Sequence, residues 1–152
     1  MGAEGEATDP AAQLPGLELL RQMIDAGRRP GMAVSLDFAL VEVDSGRAVF
    51  AGKPGKHAYN PLGIVHGGYA ATLLDSACGC AVHSQLRATQ SYSTLELKVA
   101  YHKAMTQDTG VVRAEGRVVS LGRRVGFAEA ALRDAAGTLY ASATSTLLIT
   151  ER

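Results

Sequence analysis

The order of apolar and polar positions divides the chain into helices and strands. In "LPGLELLRQMIDAGRR", Leu17, Leu20, Met23 and Ile24 recur at helical spacing, and Gly27 with Pro30 supplies a stop, which predicts a short amphipathic helix. In "AVSLDFALVEVDSGRAVFAG" the period falls to two. Val34, Leu36, Phe38 and Leu40 alternate, then the phase shifts to Val41 and Val43 before the turn signal "DSGR". That predicts a hairpin whose first strand carries a β-bulge. "KPGKHAYNPLG" is loop chemistry throughout. The next segment, "HGGYAATLLDSACGCAVHSQL", has no proline and places Leu73, Leu74, Ala77, Ala81 and Val82 at helical spacings over about five turns. Its apolar content is mostly Ala, Cys and Gly, so other backbone must approach this helix closely.

The second half returns to period two. "YSTLELKVAYHKA" sets Leu95, Leu97, Val99 and Tyr101 against Thr94, Glu96 and Lys98, which puts Thr94 on the polar side of its strand. Three further strands follow in "GVVRAEGRVVSL", "RRVGFAEAALRD" and "LYASATSTLLIT", with turns at "QDTG", "LG" and "DAAG". The order helix, two strands, long helix, four strands predicts an α+β domain with a mostly antiparallel sheet of about six strands around the long helix, not a parallel βαβ fold.

Composition narrows this picture. A chain of 152 residues with 47% hydrophobic content suits one domain, taken as 14–152. Residues 1–13 carry too little apolar surface to offset the entropy of ordering them and are expected to form a disordered tail. Fifteen basic residues balance fifteen acidic ones, so nothing points to nucleic acid or an anionic membrane, and a small molecule or another subunit is the expected partner. No apolar run approaches the roughly 20 residues that span a bilayer, and the N-terminus lacks a secretory signal, so a soluble, cytoplasmic protein is expected. Gly2 opens a weak myristoylation pattern, but Glu6 stands where Ser or Thr is wanted. Cys78 and Cys80, two apart on a helix, point in different directions, which argues against a mutual disulfide and for small apolar packing. They also make a poor zinc site, so no metal is expected.

The chemistry centres on Asp75, a carboxylate in the middle of an otherwise apolar helix. It either sits on an exposed flank, bonded to water or Ser76, or it is functional. Two features favour function. Gly67 and Gly68 stand where loop becomes helix, so N–H groups without intrahelical partners face outward and no Cβ blocks an approaching ligand. Such an end suits a carbonyl oxygen that is becoming an oxyanion. Asn60, in the loop before it, can hold a water or a substrate oxygen. Amide, helix end and carboxylate make an acyl-transfer set. Yet Asp75 lies eight positions after Gly67, about 12 Å along one helix. The two cannot act on one carbonyl unless Asp75 of one chain faces Gly67 and Asn60 of its partner across a two-fold interface.

"NPLGIVHGG", six residues and then Asp, within this element order, resembles the hotdog-fold acyl-CoA thioesterases, particularly the branch typified by the phenylacetate-pathway enzyme. The resemblance spans roughly Leu17 to Ile149. It implies a curved antiparallel sheet wrapped around the long helix, dimers joining their sheets edge to edge, and a homotetramer built of two dimers. It implies hydrolysis of acyl-CoA thioesters, aryl or medium-chain, to free acid and CoA, with no cofactor beyond the CoA of the substrate. Gly67 would polarise the thioester carbonyl through its N–H. Asn60 would orient the substrate or the water, and Asp75 of the opposite subunit would be nucleophile or general base. His66 belongs to the motif in a mainly structural role, beside the substrate with Gly68. Family members with Glu at the acid position form a neighbouring branch, so Asp75 places the chain nearer the other. Thr94 falls where the family often has a Ser or Thr assisting the water, and Tyr101 would line the pantetheine path. "SLGRRV" resembles the turn lying along the nucleotide, so Ser120, Gly122, Arg123, Arg124 and Val125 would take the CoA phosphates. One departure is "YHKAM", where Ala104 stands in place of a proline that many relatives carry.

Rival readings are weaker. No G-x-S-x-G elbow supports a serine hydrolase. Neither His66 nor His83 is placed to pair with Asp75 as in hotdog dehydratases. A non-catalytic acyl-CoA sensor is the alternative from another class, though no helix-turn-helix signal accompanies it.

Overall fold

Leu17, Leu20, Met23 and Ile24 do form one face of a helix. In the computed structural model, which describes residues 14–152, α1 spans Gly16–Asp25. The expected tail at residues 1–13 lies outside the described residues. Leu20 is buried with Val43, Ala48 and Ala81, so α1 closes one end of the central helix. Among the described residues no helix is long and apolar enough to cross a membrane.

Residues expected to begin a strand instead form a second short helix, α2 (Gly31–Leu36), entered from Pro30 and closed by Asp37 in the left-handed region at φ 56°. Pro30 is pre-set for a helix start, and the reversal at Asp37 resets the direction for β1 (Phe38–Asp44). The period-two pattern therefore holds only from Phe38 onward. A register shift between Leu40 and Glu42 supplies the expected bulge, and β2 (Arg47–Gly52) returns antiparallel.

The long helix, α3, covers Gly67–His83. The strands β3 (Gln90–Tyr101), β4 (Val112–Leu121), β5 (Val125–Asp134) and β6 (Leu139–Glu151) complete one six-stranded sheet in the order β1-β2-β4-β5-β6-β3, all neighbours antiparallel. The sheet curves around α3, as the resemblance implied. Leu73, Leu74, Ala77, Cys78 and Val82 are buried against Ala114, Ala128, Leu132 and Leu147 from the strands. Close approach of backbone to the helix is realised at Gly116 of β4, where a Cβ would collide with the Ala77 carbonyl.

Coverage of α3 is incomplete. Gly68, Ala71, Thr72, Asp75 and Ser76, spaced by three and one along the helix, are the partly exposed lane that the sheet leaves open. Beside this lane runs β3, an edge strand with Leu95 59% and Tyr101 56% exposed. An edge that long with unpaired backbone groups and apolar side chains is a template for another chain.

Candidate active site

The start of α3 is shaped by its own side chains. His66 is the N-cap, and its Nδ1 accepts from the Gly68 N–H at 2.7 Å, which requires that nitrogen to be unprotonated. A Cβ on Gly68 would sit 2.9 Å from Nδ1, so the glycine admits the cap. This corrects the expectation that both glycine N–H groups face outward. Gly68 is bonded and His66 is structural, whereas the Gly67 N–H has no hydrogen-bond acceptor among the described residues. Gly67 has its own reason to be glycine: a Cβ there would meet the Tyr101 ring at 3.0 Å, while Tyr101 Oη donates to the Gly67 carbonyl at 2.7 Å. The space beside Gly67, expected to be open to a ligand, is thus walled on one side by Tyr101.

Asn60 is tied into the loop that leads to this point. Its Oδ1 accepts from the N–H groups of Leu62 at 3.0 Å and Ile64 at 3.3 Å. The carboxamide is thereby turned so that only its Nδ2 remains to donate. The loop is fixed by His66 N–H to the Ala58 carbonyl and by Val65 N–H to the Met105 carbonyl. Asn60, His66, Gly67 and Tyr101 share the wall of one cavity of about 370 Å³ with Lys103, Met105 and Tyr140.

Asp75 stands at the midpoint of α3, eight residues from either end. It is half-buried on the open lane, and Thr94 Oγ1 donates to its Oδ1 at 2.9 Å. The bland partner, Ser76, is not involved. This contact also corrects the side assigned to Thr94. A register shift between Thr94 and Glu96 inserts a residue, so Thr94 and Tyr92 face the helix together with Leu97 and Val99, and Leu95 turns out to solvent. Tyr92, which sequence reasoning missed, roofs this region. Its ring lies against Gly79 so closely that a Cβ there would come within 2.9 Å, and it packs on His83 with centroids 5.3 Å apart. Burial pushes the Tyr92 hydroxyl up, aided by Cys80 and Asp75.

The cysteines behave as small apolar residues. Both are unpaired, and burial pushes the Cys78 and Cys80 thiols up to about 12, so neither supplies a thiolate. Among the described residues no group of three or more His, Cys, Asp or Glu is arranged to hold a metal ion.

Ser120, Gly122, Arg123, Arg124 and Val125 form the β4–β5 turn, held by Gly122 N–H to the Val125 carbonyl and by Ile149 N–H to the Arg124 carbonyl, both at 2.8 Å. Gly126 is opposite Leu147, and Leu147 is opposite Thr94. The turn therefore lies at the Thr94 end of the sheet, about 10 Å away across two strand spacings. Ser120, Gly122, Arg123 and Arg124 are exposed, and neither guanidinium has a carboxylate partner among the described residues.

One chain thus holds two groupings. Asn60, His66, Gly67, Gly68 and Tyr101 gather at the start of α3; Asp75, Thr94 and the Arg123–Arg124 turn gather from its midpoint toward its other end. Eight helical positions, about 12 Å, separate Gly67 from Asp75.

Comparison with known proteins gives a consistent result. The thioesterase superfamily matches residues 62–141, more than half of the chain, a span that includes Gly67, Asp75 and Thr94. A Halobacterium salinarum protein provisionally named an esterase is 39% identical over 84 residues, 54% of each chain, so the chain matches about half the length of that curated relative. A conserved protein of Pseudomonas aeruginosa superposes with a TM-score of 0.76 at 28% identity, over 86% of this chain and 98% of the other. A phenylacetic acid degradation-related protein of Ralstonia eutropha JMP134, provisionally named a thioesterase, gives 0.75 at 26% identity over 85% and 98%.

Proposed function

Because the chain belongs to the thioesterase superfamily, we propose that it hydrolyses acyl-CoA thioesters at sites shared between two subunits. The observation that carries this reading is the pairing of Asp75 with Thr94 on the open lane of α3. A carboxylate oriented by a hydroxyl on an uncovered helix face is well suited to a reacting water. The thioester carbonyl lies at the Gly67 N–H of one subunit, with Asn60 Nδ2 donating to the substrate or to the water. Asp75 and Thr94 come from the other subunit, whose open lane and β3 edge meet those of the first.

Two routes fit these groups. As general base, Asp75 takes a proton from water while the water oxygen bonds to the carbonyl carbon; the negative charge moves onto the carbonyl oxygen at Gly67. The C–S bond then breaks and the CoA sulfur takes up the proton. As nucleophile, Asp75 bonds to the carbonyl carbon and expels CoA, and water hydrolyses the resulting anhydride. One preorganised oxyanion donor contributes about 3 kcal/mol in comparable sites. Tyr101 lines the approach and the Arg123–Arg124 turn takes CoA phosphates, in a homodimer that pairs into a tetramer.

A free-thiol assay over a panel of aryl- and alkyl-acyl-CoAs tests the reaction; binding without turnover across the whole panel would favour the sensor and overturn hydrolysis. The CoA assignment has its own check. Replacing Arg123 and Arg124 together by Ala is expected to raise KM for CoA thioesters about tenfold or more while leaving KM for the matching N-acetylcysteamine thioester unchanged, since each charge-assisted contact is worth about 1.5–3 kcal/mol. Equal effects on both substrates would contradict it.

A further inference from the structure

The cavity beside Gly67 has an unusual charge pattern. Its ionisable lining residues are His66, Tyr101, His102, Lys103 and Tyr140, with no acidic side chain among them. The histidines are committed elsewhere: His66 Nδ1 caps α3, and the His102 ring bonds through Nε2 to Ser142 Oγ at 2.8 Å. Lys103 is the one lysine or arginine in this lining.

Its placement is specified by the fold. The N–H groups of His102 and Lys103 both donate to the Tyr140 carbonyl, at 2.8 and 3.2 Å. The Lys103 ammonium sits 5.8 Å from the Tyr140 ring centroid, and Tyr140 Oη is anchored on Asp134 Oδ2 at 2.8 Å. Asp134 also accepts from the N–H groups of Ala136 and Thr138, and no carboxylate pairs with Lys103 among the described residues. Other cations are matched, Arg47 and Arg113 to Glu42 and Arg87 to Glu151, whereas Lys103 shares with Arg123 and Arg124 the lack of a carboxylate partner among the described residues. Lys103 is exposed, and its ammonium, over the Tyr140 face, is available to an anion that enters the cavity it lines together with Ile64, Ala70 and Met105.

We infer that Lys103 is a specificity-determining residue that recognises an anionic oxygen group of the ligand, a phosphate of the CoA portion or a carboxylate at the far end of the acyl chain. The inference rests on the proposed reaction for the position of the thioester beside Gly67. A cavity of about 370 Å³ accepts only part of an acyl-CoA, so one such group is read there.

Binding without turnover tests it. Calorimetry would compare wild-type protein, Lys103→Met and Lys103→Arg with three unreactive thioethers: S-hexyl-CoA, S-(5-carboxypentyl)-CoA and S-hexyl-pantetheine. The expected result is that Lys103→Met weakens at least one anionic ligand by about tenfold or more, leaves S-hexyl-pantetheine unchanged, and is largely rescued by Lys103→Arg. Weakening of both CoA ligands alike assigns the phosphate; weakening confined to the carboxypentyl ligand assigns the carboxylate. Equal affinities of wild type and Lys103→Met for all three, equal losses for all three, or no binding to the wild type would overturn the inference. Absence of thioester hydrolysis with these binding results intact would overturn the proposed reaction alone.

Discussion

Replacing Asp75 by Asn is expected to lower kcat for a good thioester substrate by about 10²- to 10⁴-fold with little change in thermal unfolding. The substitution keeps the shape of the side chain and an Oδ1 that can still accept from Thr94 Oγ1, the contact seen at 2.9 Å. What it removes is the capacity to take a proton or to form a bond to carbon. Because Asp75 lies half-buried on the open lane of α3, the change opens no cavity and leaves no buried donor unpaired. Steady-state kinetics with unfolding curves on the same preparations check the result. Undiminished hydrolysis in both Asp75→Asn and Asp75→Ala would remove the carboxylate from the reaction.

Gly116→Val has the second largest expected effect, on stability. Gly116 lies in β4, opposite Ala48 of β2 and Ala130 of β5, and faces the backbone of α3 at Ala77. Any Cβ there meets a helix carbonyl and not a flexible side-chain tip, so relief requires moving the helix away from the sheet. Ordinary overpacking costs about 1–3 kcal/mol; displacing an element that carries Leu73, Leu74 and Val82 into the core should exceed that range. Against a typical stability of about 5–15 kcal/mol, this yields a marginal or unfolded protein. Gly31→Ala is the contrast. Gly31 opens α2, and the methyl of an alanine there would have nothing within 4 Å, so the substitution should leave stability unchanged or raise it by up to about 1 kcal/mol. Denaturant titrations of the two variants should diverge in midpoint; similar midpoints would contradict the packing argument.

The α3 periodicity is set by burial of one broad face, and the late strands are bounded by glycine turns, so both are visible in residue order. The six residues of α2 are not, because Val34 and Leu36 fit an alternating pattern whether or not the backbone is extended, and only Pro30 hinted at a helix start. The face of Thr94 depends on a bulge, which reverses every inside-outside assignment upstream of it and leaves no mark in composition. At the site, Asn60, Gly67 and Asp75 stood out through residue type and helical distance. The local bonds that decide their availability did not: the His66 cap consumes the Gly68 N–H, and loop bonds turn the Asn60 amide. Tyr92 and Lys103 escaped notice because each matters through a partner distant in sequence, Gly79 and Tyr140.

The central claim is that each site draws Gly67 and Asn60 from one subunit and Asp75 from another. Mixed oligomers test it most directly. Asn60→Asp keeps the Oδ1 acceptor that holds the loop and removes the donating Nδ2, while Asp75→Asn removes the carboxylate, so each variant alone should be inactive. After verified subunit exchange, about half of the dimers are mixed and each mixed dimer regains one intact site, so activity should rise to about a quarter of the wild-type value per site. No recovery despite proven exchange would contradict a shared site.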